Sequence, residues 1–187
     1  MKSVLISIIP KWCELIANGK KTIEVRKTRP KCDMPFKCYI YCTKEFYRKG
    51  DGYFQGKYCG KVIGEFVCKN MTCIQADIDF QGEKHLYNTA FIENRMCLND
   101  EELFNYIYDG KRNEGWGWHI SDLVIYDKPK ELSKFATFCD KNVNHCANCE
   151  HYLFDNDDLN GYRRWCGVYR RKPLTRPPQS WCYVEEV

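Results

Sequence analysis

Helical periodicity is confined to two short stretches of this sequence, whereas five stretches carry strand signals, and that imbalance limits what the chain can fold into. Ser3 to Ile8 is a run of apolar, β-branched residues that reads as a first strand. Pro10 follows, where its fixed φ and missing N–H suit the first turn of a helix. Trp12, Leu15 and Ile16 recur at helical spacing, and Gly19 supplies a C-terminal cap. Lys21 to Arg26 alternates as a second strand, with Ile23 and Val25 on one face and Thr22, Glu24 and Arg26 on the other. Residues 36–42, 61–68 and 119–126 read as further strands, the first two separated by a Gly-rich stretch from Gly50 to Gly60. Asn99 and Glu102 form a capping box ahead of Leu103, Phe104 and Ile107, so a second helix begins there. Short strands with two clear helices imply an α+β, barrel-like domain rather than a βαβ layout.

The 187 residues suffice for one core with a small appendage. Apolar residues make up 44% and charged residues 29%, a globular composition, and no apolar run approaches the roughly 20 residues of a membrane span. The opening MKSVLISIIPKWCELI is not read as a signal peptide. Its apolar run is too short, Lys11 and Glu14 follow at once, and no small-residue cleavage site is present. A cytoplasmic protein is therefore expected. Its thirteen cysteines then read as thiols rather than a disulfide framework. The eight from Cys13 to Cys97 lack metal-like spacing, and those in strands (Cys38, Cys42, Cys68) read as small buried hydrophobes.

The constellation with chemical content is Gly19-Lys20-Lys21-Thr22-Ile23-Glu24-Val25-Arg26. A glycine turn delivers two lysines into a strand whose polar face carries a carboxylate and a guanidinium. Such groups either pair with each other or together read a ligand offering donors and acceptors. With Ser7-Ile8-Ile9-Pro10 and Ile16 before it, this segment resembles the signature of the ASCH family, a strand, a short helix and a "GxKTIExR" turn and strand. Gly117-Trp118-His119-Ile120-Ser121-Asp122-Leu123 resembles a late barrel strand of the same proteins. The ending Arg176-Pro177-Pro178-Gln179-Ser180-Trp181-Cys182-Tyr183-Val184-Glu185 is similar to those of small ASCH proteins from phages and mobile elements of Gram-positive bacteria.

The resemblance implies a PUA-like β-barrel over residues 1–130, with a cysteine-rich extension, 131–187, packed on it. It also implies a cleft beside the signature loop that binds RNA or a modified nucleobase. Some relatives are ribonucleases, or amidohydrolases acting on N4-acylated cytidine. By that resemblance Lys21 is the base, Arg26 orients the site, and Glu24 stands where the family has its threonine nucleophile. A carboxylate does not replace an activated hydroxyl in acyl transfer. Thr22 lies two residues away, and Glu93 is the nearest match to the family's acid. Lys21, Glu24 and Arg26 are thus the catalytic candidates, and Lys20, Thr22, Trp116 and Trp118 the ligand-binding ones. Trp116 and Trp118 flank a glycine, which would put one at the cleft and one in the core; His119 is read as satisfying a backbone partner.

Positive charge collects around the signature loop (Lys20, Lys21, Arg26, Lys27, Arg29, Lys31) and again near the end (Arg163, Arg164, Arg170, Arg171, Lys172, Arg176). Tyr162, Trp165, Tyr169 and Trp181 are interleaved with the second cluster and either stack on bases or pack in the core. A binding module for RNA or a modified nucleoside, a hydrolase acting on either, and a mobile-element protein that binds a host protein all stay open. Finally, Cys146-Ala147-Asn148-Cys149 is a turn that brings two thiolates to one ion, and Cys166 and Cys182 would complete a structural zinc site. Cys139, His145 and His151 are alternative ligands. Residues 139–182 are poor in aliphatic side chains, and a metal is one remedy for a segment without a core.

Overall fold

The computed structural model describes residues 3–44, 58–138 and 171–187, together with the backbone of two short strands at 152–153 and 165–166. In chain order the elements are β1 (Ser3–Ile8), α1 (Pro10–Ala17), β2 (Ile23–Arg26), β3 (Phe36–Cys42), β4 (Lys61–Ile78), β5 (Lys84–Tyr87), α2 (Glu93–Met96), α3 (Asp100–Ile107) and β6 (Glu114–Lys130). A 3-10 turn at Leu132–Lys134 leads to β7 (Phe135–Phe138), then β8 (Tyr152–Leu153), β9 (Trp165–Cys166), β10 (Arg171–Pro173) and β11 (Trp181–Glu186). The protein is mostly sheet, with a few short helices. Among the described residues, no helix is long and apolar enough to cross a membrane.

Local chemistry accounts for the helices. Pro10 occupies the first turn of α1, and Gly19 takes the left-handed conformation (φ 70°) beyond its end. At α3 the Asn99 side chain accepts from the Glu102 N–H while the Glu102 carboxylate accepts from the Asn99 N–H, so both halves of the expected capping box are made. Such a cap is worth roughly 1 kcal/mol.

Nine strands form one sheet, in the order β10-β7-β11-β1-β3-β4-β6-β2, with β5 beside β4; β8 and β9 pair separately. Among the described residues the closed barrel expected from the sequence is not formed: β2 ends the pairing on one side and β10 on the other. The sheet still curls. Three strands separate β1 from β2 in the sheet order, yet Arg26 on β2 donates to the Ser7 carbonyl on β1 at 2.5 Å. Bulges along β4, where it pairs with β6, supply the bend. Inside the curl, Val4, Ile6 and Ile8 of β1, Cys13 and Ile16 of α1, Phe36 and Cys38 of β3, Phe66 of β4 and Trp118 of β6 make one core. Side chains and α1 thus bridge a seam that backbone pairing leaves open.

The alternation Gly115-Trp116-Gly117-Trp118 decides what each face of β6 receives. Both tryptophans lie on the same face, because side chains alternate with period two; the expectation that they point to opposite sides is corrected. Trp118 is fully buried in the core, edge-on to Phe36 with ring centroids 5.7 Å apart. The opposite face holds a second core of Ile23, Val25, Ile74, Ile92, Met96, Leu103 and Ile107. A Cβ at Gly117 would lie 3.0 Å from Ile23 Cγ2, and one at Gly115 would lie 2.8 Å from Ile107 Cγ1, so glycine lets α3 and β2 approach.

Residue 130 ends β6, and the segment after it is built into the same sheet. β11 pairs antiparallel with β1, placing Leu5 opposite Cys182, and also pairs with β7. A third core, around Leu5, Tyr39, Tyr41, Phe135 and Val184, joins these strands.

Candidate ligand-binding pocket

At the seam between β1 and β2 lies a pocket of about 350 Å³, lined by Ser7, Ile9, Trp12, Lys21, Glu24, Val25, Arg26, Leu98, Glu102 and Tyr106. Alternation along β2 explains its charged floor. Ile23 and Val25 point into the second core, which turns Glu24 and Arg26 toward the seam.

Lys21, Glu24 and Arg26 are 2%, 4% and 9% exposed, so this is a buried charge array rather than a surface pair. Arg26 Nη2 lies 2.9 Å from Glu24 Oε1, and Lys21 Nζ lies 3.5 Å from Glu24 Oε2. The Lys21 ammonium also donates to the Met96 carbonyl and lies 4.9 Å from the centroid of the Trp12 ring. Arg26 donates to Ser7 O. Burial raises the Tyr106 phenol pKa, and the contacts with Arg26 and Lys27 only partly offset it. Buried ions persist only when paired and hydrogen-bonded; each charge here has at least two partners, while Glu24 Oε2 and Arg26 Nε have no hydrogen-bond partner among the described residues.

Segment 95–97 fixes the lysine end. Arg95 Nε donates to Thr22 Oγ1 at 3.0 Å, Thr22 N–H donates to Arg95 O, and the Cys97 thiol donates to Lys20 O at 3.5 Å. This clamp presents the Met96 carbonyl to Lys21. Ser7 holds the opposite wall, its hydroxyl donating to Pro178 O at 2.7 Å and its N–H to Ser180 O at 2.9 Å.

Of the residues singled out from sequence, the fold brings Lys21, Glu24 and Arg26 together. Lys20 is exposed and does not line the pocket. Thr22, expected on the Glu24 face, precedes β2 and bonds to Arg95 instead. Neither Trp116 nor Trp118 borders the pocket: Trp118 is core, and Trp116 lies under the Arg29 guanidinium, 4.4 Å from its ring centroid. Glu93 is exposed and accepts from Thr89 at a different pocket. His119 Nε2 meets Thr72 Oγ1 at 2.9 Å, a side-chain partner where a backbone one was expected, and its pKa is lowered by burial and by Arg95. Trp12 and Tyr106, the aromatic walls, were not singled out. Trp12 showed only as part of the apolar spacing of α1, and nothing in the sequence flags Tyr106.

Half of the second basic and aromatic cluster lies outside the described residues, namely Tyr162, Arg163, Arg164, Tyr169 and Arg170; Trp165 is described by its backbone alone. Trp181 packs against Trp118 with centroids 6.0 Å apart and donates to Thr28 Oγ1. Cys146 and Cys149, with Cys139, His145 and His151, also lie outside the described residues, and Cys166 is described only as part of β9. Cys182 sits in β11 against the third core, where burial raises its thiol pKa to about 11. Among the described residues, no three His, Cys, Asp or Glu side chains are grouped to hold a metal.

No protein-family model matches the sequence, and no curated protein matches it. Among solved structures, the chain is similar to the ASCH protein of Zymomonas mobilis, at 18% identity and a TM-score of 0.49, over 70% of this chain and 74% of that one. A tyrosine-to-phenylalanine variant of that protein gives 17% identity and 0.49 over 71% and 77%. A serine-to-alanine variant gives 18% and 0.49 over 70% and 75%. The likeness is one of chain path and carries nothing about ligand or activity.

Proposed function

We propose that this chain is a binding module for RNA or a modified nucleobase or nucleoside, and that the seam pocket takes the base. One observation carries the reading: a buried Lys21–Glu24–Arg26 array forms the floor of a pocket walled by two aromatic rings, Trp12 and Tyr106. The volume, about 350 Å³, lies at the small end of ligand pockets and suits one heterocycle with its sugar. A carboxylate beside two cationic donors matches the mixed donor and acceptor edge of a base. Hydrolysis is the weaker reading, because the Ser7 hydroxyl, which lines the pocket, already donates to Pro178 O, and Thr22 does not line it. The test is to incubate the pure protein with RNAs and modified nucleosides and separate binding from turnover by mass spectrometry. Binding without a product supports the module. A released product would replace this reading with a hydrolase, and no binding of any member would end both.

We also propose a structural zinc ion on Cys146, Cys149, Cys166 and Cys182. The paired spacing of the first two supports it. Zinc binds the thiolate, so at Cys182 it must displace a proton that burial holds tightly. Protein purified without chelator should carry about one zinc per chain, lost in Cys146→Ser. Zinc-free protein with an intact fold would end the proposal.

A further inference from the structure

The floor of the seam pocket sits on β2, which ends the sheet and is paired along one edge only, by β6. Residues 27–35 follow Arg26 and lead to β3 without forming a helix or a strand. Among the described residues no backbone hydrogen bond joins this segment to itself. Two hydrogen bonds tie it to β11 instead. Trp181 Nε1 donates to Thr28 Oγ1 at 3.0 Å, and the Lys31 N–H donates to the Tyr183 hydroxyl at 2.6 Å. Charged side chains of the segment also reach Asp109, Tyr106 and Trp116, but through long stems and over 3.8 Å, 5.5 Å and 4.4 Å.

The same tail holds the facing wall. The Ser7 hydroxyl donates to Pro178 O and the Ser7 N–H to Ser180 O, while the Ser7 carbonyl accepts from Arg26. Arg26 is thus braced on both flanks by one stretch, residues 178–183. That stretch is itself firmly seated. Trp181 packs on the buried Trp118 with centroids 6.0 Å apart, Tyr183 stands edge-on to Trp181 at 5.5 Å, and β11 pairs with β1 and β7.

We propose that Trp181 and Tyr183 are positioning residues of the seam pocket, and that β11 is a strap that keeps the Arg26 guanidinium seated on its floor. Neither residue lines the pocket. Each acts through a partner 153 or 152 positions away in sequence, Thr28 or Lys31, which lies shortly after Arg26. A loop pinned at two points has given up backbone freedom, and cutting the pins returns it. The floor can therefore be loosened from a remote strand without altering any residue that lines it. This holds whatever occupies the pocket, so it stands or falls separately from the base-binding reading.

The test reads the floor directly, by the rate at which phenylglyoxal modifies Arg26, followed by peptide mass spectrometry. Arg26 is 9% exposed and should react slowly, whereas the exposed Arg112 should react fast and serves as the reference. Thr28→Val and Tyr183→Phe each remove one polar partner and keep the shape of the side chain. Each should speed modification of Arg26 about threefold, and the double variant at least about tenfold, as the loss of two hydrogen bonds provides. Arg112 should not change. Thr28→Ser keeps the acceptor and should leave Arg26 at the parent rate. So should Tyr126→Phe, which removes a hydrogen bond elsewhere in the sheet. A circular dichroism spectrum confirms the fold of each variant, and if the double variant does not fold, the two single variants decide by the same comparison. Arg26 reacting at the parent rate in the unpinned variants overturns the proposal. An equal gain in Tyr126→Phe also overturns it, because the effect would then be a general loss of stability. So does an Arg26 as reactive as Arg112 in the parent protein, because the floor would then not be held.

Discussion

Glu24 and Glu65 each sit between a lysine and a second donor, yet Glu24 lines the seam pocket and Glu65 does not. Glu65 accepts from Lys37 Nζ at 2.7 Å and from the Tyr126 hydroxyl. Lys37 lies on β3 and Tyr126 on β6, the strands on either side of Glu65 on β4, so this array staples a continuous sheet. Glu24 lies on the end strand, and its charged partners Lys21 and Arg26 come from the same short segment. Similar ionic chemistry therefore does different work on the two sides: within the sheet it holds strands together, and at the seam it furnishes a floor.

Exposure separates the two arrays further. The Glu24 side chain is 6% exposed, whereas Lys37 and Glu65 are 40% and 22% exposed. The largest expected effect follows from this contrast. Arg26→Ala strips a buried carboxylate of its nearest cation and cuts the stitch to Ser7, so it should destabilise the fold by about 3–5 kcal/mol. Lys37→Ala removes a solvent-screened partner and should cost no more than about 1 kcal/mol. Urea denaturation of the two variants checks both values, and equal losses would erase the distinction between seam and sheet.

A smaller effect should appear in ligand affinity. Glu24→Gln keeps the shape of the floor but gives up the charge, and it should weaken the tightest-binding nucleoside about tenfold, the worth of one hydrogen bond to a charged group. Glu65→Gln, on the far side of the sheet, should leave that affinity unchanged. Titration calorimetry against the same nucleoside decides between them; matching losses would mean that the pocket does not bind the base.

The ends of β1 and β3, the start of α1, the capping box of α3 and the two faces of β2 were legible in the sequence, because each depends on local stereochemistry or period-two alternation. The long strands were not. β4 runs on to Ile78, although its alternation breaks at Lys69 and Asn70, where its register against β6 shifts between Cys68 and Met71. β6 begins at Glu114, ahead of two glycines whose propensity argues against a strand until the close approach of Ile107 and Ile23 is known. At the site, one strand carried Glu24 and Arg26 in view, and the turn before it carried Lys21. The walls come from α1 and α3, and no local pattern states that two helices 90 residues apart flank the same opening (Trp12 and Tyr106 meet only through the curl of the sheet).

The smallest expected effect concerns acid and tests whether Glu65 acts through its charge. Burial alone would raise the Glu65 pKa, but the hydrogen bonds from Lys37 and Tyr126 outweigh it and hold the group below the ordinary carboxylate value. A carboxylate whose pKa is lowered by folding contributes stability that is fully present above its unfolded pKa. That contribution is lost as pH falls through the lowered folded value, because the unfolded chain takes up the proton first. Tyr126→Phe removes one of the two donors and brings the folded pKa closer to the ordinary value. At neutral pH the variant should be less stable by about 1 kcal/mol, the net worth of one hydrogen bond. As pH is lowered through the carboxylate range, the parent protein loses its Glu65 contribution too, so the gap between the two should narrow. Denaturation curves from pH 7 to pH 3 would show that convergence. A gap that stays constant would mean that Tyr126 stabilises the sheet by packing alone, and Glu65 would then be a staple in geometry but not in charge.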